Sequence, residues 1–113
     1  MNYSNMKDFE INKAVAEKIY PGKEFTVAYS FGYPDGPHVQ WIQGYGEFLL
    51  KDYCNSWADA GPIIGNENIS LTCHQSRDEW AAIFNRHCMS ANQNPLRAAM
   101  ECFLMIKERE NAA

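Results

Sequence analysis

Residues 94–107 constrain the fold more than any other part of this sequence. Asn94 is a residue type that caps helices, and Pro95 follows at the first helical position, where its fixed φ helps and its missing N–H costs nothing. An apolar stripe at helical spacing comes next, formed by Leu96, Ala99, Met100, Phe103 and Leu104. A helix with such a stripe is stable mainly through packing, so we expect the rest of the chain to fold against it.

The length and the charge of the chain limit which class of protein it can belong to. With 113 residues, 46% of them hydrophobic, it is expected to form a single globular domain over residues 1–113. The net charge of −4 and the lack of any Lys/Arg run argue against a nucleic-acid-binding surface. No apolar run reaches about 18 residues and the N-terminus is polar, so neither a membrane span nor a signal peptide is expected. We therefore expect a cytoplasmic protein, whose cysteines are free thiols, some of them buried (Cys54, Cys73, Cys88, Cys102).

The first part of the sequence predicts a helix and a hairpin. Asp8 is the expected cap of a helix whose inner stripe is Ile11, Ala14, Val15 and Ile19, and which ends at Pro21-Gly22. Residues 25–31 alternate like a strand, residues 32–37 form a Gly/Pro-rich loop, and residues 39–43 resume a strand. The result is a variable, aromatic-rich hairpin at about residues 23–45. Its aromatic side chains either form the core face of the hairpin or mark an exposed interface (Tyr29, Phe31, Tyr33, Trp41, Tyr45).

The middle of the sequence leaves two alternatives open. Asn55 can cap a helix that turns Trp57, Ala60, Ile63 and Ile64 inward, but Pro62 would cost that helix a hydrogen bond. A short first piece and a restart at Pro62 would avoid the conflict.

Residues 69–73 alternate like a strand. Residues 80–87 fit either a helix capped by Asp78 or a strand, and we favour the strand, with Trp80, Ala82 and Phe84 on one face. Pairing across residues 75–78 then puts Cys73 opposite Trp80.

No catalytic, metal or cofactor site is predicted. Cys73-His74 and His87-Cys88 offer the ligands of a zinc site, but neighbouring residues on a strand point to opposite faces. His87 would also lie far along the ladder from Cys73. The sequence holds no glycine-rich phosphate loop and no paired carboxylates. We therefore expect a protein that is not an enzyme.

Several segments together resemble the NinX family of small phage proteins. The resemblance rests on residues 52–64 (DYCNSWADAGPII), Ile69-Ser70-Leu71, Trp80-Ala81-Ala82 and residues 94–100 (NPLRAAM), and the first helix, residues 8–16, is similar as well. Residues 21–50 have no clear counterpart. The resemblance implies a small α/β sandwich with strands held between helices, no known activity or catalytic residues, and a setting in the cytoplasm of an infected or lysogenic bacterium.

The sequence therefore predicts one α+β domain. Its N- and C-terminal helices pack on a small, mainly antiparallel sheet, in an α/β/α sandwich-like arrangement. The expected function is that of a phage or prophage accessory protein, a non-enzymatic interaction module that binds a host or phage protein. The alternative is a nucleic-acid-associated factor in phage DNA metabolism. The candidate interaction surface comprises Tyr53, Asn55, Trp57, Asp59, Tyr33 and Trp41. In the competing interpretation, Trp57 anchors the core and Asn55 is only a helix cap.

Overall fold

The computed structural model describes residues 2–27, 39–42 and 48–112. Within them lie three α-helices: α1 (Asp8–Ile19), α2 (Trp57–Glu67) and α3 (Pro95–Ala112). The strands are β1 (Thr26–Val27), β2 (Val39–Ile42), β3 (Phe48–Lys51), β4 (Ser70–His74), β5 (Glu79–Asn85) and β6 (Cys88–Asn92). Short 3-10 helices occupy Tyr3–Asn5 and Gln75–Arg77.

The described strands form two antiparallel sheets of three strands each, β1-β2-β3 and β4-β5-β6. Helix α3 packs on β5 and β6, and α1 packs on α3 and β2. The predicted α+β fold, with antiparallel strands and packed N- and C-terminal helices, is confirmed. Helix α2 connects the two sheets along the chain, from β3 to β4.

Helix α3 forms as the sequence predicts. The Oδ1 atom of Asn94 accepts hydrogen bonds from the backbone N–H groups of Leu96 (2.9 Å) and Arg97 (3.4 Å), which is the geometry of a helix cap. All five residues of the predicted stripe are buried, and they meet the buried side chains of Ile11 and Val15 from α1. This helix is the centre of the core.

Helix α1 differs from its prediction at both ends. Asp8 is the first helical residue, and the cap is Lys7, whose backbone N–H donates to Oε1 of Glu10 at 3.0 Å. The Asp8 carboxylate, which was expected to cap the helix, instead forms an ion pair with Arg97, far along the chain. At the other end Ile19 is 39% exposed, so the buried stripe is shorter than expected.

Helix α2 differs in three respects. Its cap is Ser56, whose Oγ accepts from the backbone N–H of Asp59 at 3.3 Å, and not Asn55. It runs through Pro62 without a break, because the proline removes only one donor from a helix held by buried Ala60 and Ile63. Trp57, predicted to point inward, is 59% exposed, since it stands at the first helical position beyond the packed stripe.

The second sheet confirms the strand interpretation of residues 80–87. Strand β5 pairs with β4 in the predicted register, with Cys73 opposite Trp80. Strand β6 was not predicted. A register shift between Ile83 and Asn85 leaves Phe84 as an extra residue on β5, and such bulges redirect side chains. The alternation predicted that Trp80, Ala82 and Phe84 share one face, but Ala82 is buried whereas Phe84 is 43% exposed.

Candidate functional site

Three of the segments that carry the family resemblance, namely the first helix, residues 52–64 and residues 94–100, meet in one partly buried polar network. Nδ2 of Asn94 donates to the backbone O of Cys54 (2.7 Å) and to Oδ1 of Asn55 (3.2 Å), which ties the start of α3 to the turn before α2. Nδ2 of Asn12 on α1 donates to Oδ1 of Asp52 (2.8 Å), and Oδ1 of Asn12 accepts from the backbone N–H of Cys54 (2.9 Å). Segments far apart in sequence are thus joined through side-chain amides.

Arg97 extends this network to the N-terminal segment. Its Nε donates to Glu101 (2.8 Å), its Nη1 to Asp8, and its Nη2 to the backbone oxygens of Tyr3 (3.0 Å) and Met6. Glu101, only 1% exposed, also accepts from the Ser90 hydroxyl at 2.8 Å. Burial alone would lower the pKa of Arg97, but the hydrogen bonds to Asp8 and Glu101 outweigh it and the net shift is upward.

The chemistry of this network is structural. The carboxylates of Asp8 and Glu101 both pair with Arg97, and the amide of Asn94 is used by backbone and side-chain partners. The neighbouring thiol of Cys54 is buried, and burial raises its pKa, which disfavours the reactive thiolate. The network therefore holds segments of the chain together without presenting an activated group.

The four candidate residues of the α2 region lie together, but most of them are buried or bonded to other parts of the chain. Tyr53 is 2% exposed, and within the described part of the chain its hydroxyl has no hydrogen-bond partner. Asn55 belongs to the network, and Asp59 accepts from the backbone N–H of Asp52 (2.9 Å) and lies 3.6 Å from Lys51 Nζ. Of these four residues, Asn55 and Trp57 are exposed, and Trp57, at 59%, is the one whose exposed side chain is large and apolar. Asn55 is no cap and Trp57 no core anchor, so the competing interpretation is wrong on both points.

The other candidates concern residues that the structure does not describe. Tyr33 lies outside the described residues, as do Tyr29, Phe31 and Tyr45. Trp41 lies in β2 by its backbone, and its side chain is outside the described part. Their role in an interaction surface stays a prediction.

An exposed apolar cluster lies at the closed end of the β5–β6 hairpin. Ile83 (37% exposed) pairs directly with Met89 (48%), and Phe84 (43% exposed) follows Ile83 in the chain, at the bulge. We call these three residues the hairpin patch. Sequence analysis missed it, because it assigned Met89 to no element and grouped Phe84 with Trp80 and Ala82 on one face of the strand. The polar run Asn85-Arg86-His87 between two partly apolar runs is the turn signature that would have indicated the hairpin.

The turn beside the hairpin patch is well ordered and carries positive charge. Oδ1 of Asn85 accepts from the backbone N–H groups of His87 (2.8 Å) and Cys88 (2.9 Å), and Nε of Arg86 donates to Nε2 of His87 at 3.3 Å. His87 also lines a shallow depression of about 420 Å³ with residues near the end of α3, namely Met105, Glu108, Arg109 and Ala112.

Two further features describe the rest of the surface. A groove of about 470 Å³ runs between α1, α3 and the N-terminal segment, with Tyr3, Met6, Ala14 and Leu104 among its lining. Among the residues that the structure describes, no cluster of three or more His, Cys, Asp or Glu side chains could hold a metal ion. In the same residues, no helix combines the length and the apolar character needed to cross a membrane.

A known protein family matches this chain over most of its length. A family model described as "Bacteriophage P22, NinX" matches residues 2–107. The match runs from the first 3-10 helix into α3, and it includes residues 21–50, for which the sequence motifs offered no counterpart. A search of curated proteins found no match.

Proposed function

Because the chain belongs to the phage P22 NinX family, we propose that it is a phage accessory protein that acts by binding another protein in the bacterial cytoplasm. Family membership makes it a phage protein. The binding role, the absence of catalysis and the location are the content of the proposal.

The hairpin patch is the observation that carries this proposal. Ile83, Phe84 and Met89 are three of the five large hydrophobic side chains found exposed among the described residues, and they are neighbours on one hairpin. Scattered apolar side chains are ordinary on a protein surface, whereas a contiguous group often marks a site of protein association. A bulge that turns an aromatic ring outward adds to this argument, since bulges often re-aim side chains at functional surfaces.

The polar network supports the non-enzymatic part of the proposal. Acid–base or nucleophilic catalysis needs a group with an available proton or electron pair in an accessible cleft. The buried charged side chains near the start of α3 are instead paired with each other, as in Arg97 with Asp8 and Glu101.

The exposed side chain of Trp57 offers a second candidate contact for a partner protein, since tryptophan is among the residue types most enriched at binding hot spots.

A pull-down with matched variants tests the proposal. The tagged protein, the double variant I83T/M89T and the control I19T are each incubated with lysate of infected bacteria, with and without nuclease. Ile19 has nearly the same exposure as Ile83 (39% against 37%) but lies on a different element, at the end of α1. We expect the same protein to be captured by wild type and I19T after nuclease treatment. Binding by I83T/M89T should weaken roughly thirtyfold, the effect of losing about 2 kcal/mol at a hot spot.

Two results would contradict the proposal. If capture disappears when nuclease is added, the protein is associated with nucleic acid. If I83T/M89T captures as much as I19T, the hairpin patch is not the binding surface, and a W57A variant then tests Trp57. Circular dichroism of every variant verifies that the fold is retained; threonine suits a strand, so β5 and β6 are expected to persist.

A further inference from the structure

We draw no further inference here: the strongest candidate, the hairpin patch at the closed end of the β5–β6 hairpin, already carries the proposed function, and nothing in the part of the chain that the structure describes shows the chemistry of what covers it.

Discussion

Burial of the Cys102 thiol makes the stability of the fold depend on pH. Its thiol is enclosed between α3 and the second sheet, where it donates to the backbone O of Cys88 at 3.3 Å. Removal from water disfavours the thiolate and raises the pKa of Cys102 from 9.0 to about 11. Because the folded-state pKa lies above the unfolded-state one, the associated stability is fully present below pH 9 and is lost as the pH rises through about 11.

The variant C102A should therefore flatten the alkaline fall in stability. We expect its free energy of unfolding to decline less steeply than that of wild type between pH 9 and pH 11, the window set by the two pKa values. Urea titrations under reducing conditions at several pH values measure this slope. C73A is the control, since Cys73 is exposed, and its slope should match wild type. Equal slopes for C102A and wild type would show that Cys102 does not titrate in this window.

The residues of the candidate site could be predicted only in part. Sequence analysis located the turn before α2 and singled out Tyr53, Asn55, Trp57 and Asp59, and the structure brings these four together. It could not tell which of them would be exposed, because the exposure of Tyr53 and Trp57 depends on contacts with distant elements. The exposure of Phe84 could not be predicted either, because the one-residue bulge that interrupts the pairing there leaves no mark in the alternation.

At the scale of elements, the cap of α2 gives a direct test of its observed start. Substitution of Ser56 by alanine removes the oxygen that accepts from the backbone N–H of Asp59, which should lower the free energy of unfolding by about 1 kcal/mol. Urea denaturation monitored by circular dichroism measures the change. S76A is the matched control, because Ser76 is exposed on a short 3-10 turn, and it should stay within about 0.5 kcal/mol of wild type. A smaller effect of S56A than of S76A would argue against Ser56 as the cap.

Elements with a regular hydrophobic repeat or a clear signal at their ends were predictable from the sequence, and the others were not. Helix α3 has a cap, a proline at its first position and a regular stripe, and β4 alternates clearly, so both were predicted. Strand β6 was missed because Cys88–Asn92 holds no β-branched or aromatic residue and exists through its pairing with β5. The continuity of α2 through Pro62 is likewise a tertiary effect, in which packing outweighs local propensity.

At the scale of the molecule, Arg97 is the residue whose loss should cost most. The variant R97M leaves Glu101 buried without its cation and removes the donors to Tyr3 O and Met6 O. We expect the free energy of unfolding to fall by about 3–5 kcal/mol, as when one partner of a buried ion pair is deleted. Urea denaturation measures this loss.

A surface ion pair provides the comparison for R97M. The variant K13M breaks the exposed pair between Lys13 and Glu17 and should change stability by less than about 1 kcal/mol. The variant R97K keeps the positive charge but loses the planar guanidinium group. If R97M does not fold, R97K should still fold, with a free energy of unfolding below that of wild type. Similar losses for R97M and K13M would contradict the structural role of the network.

The long reach of Arg97 and Tyr3 also sets the order of events during synthesis. Arg97 contacts Asp8 across 89 residues, and Tyr3 contacts Glu108 across 105. The second sheet and α3, by contrast, are built from consecutive elements that pair with their neighbours in sequence. On the ribosome, α1 emerges before α3, so its contact with β2 can form before α3 has been translated. The contact of Ile11 and Val15 with α3 is thus among the last to form.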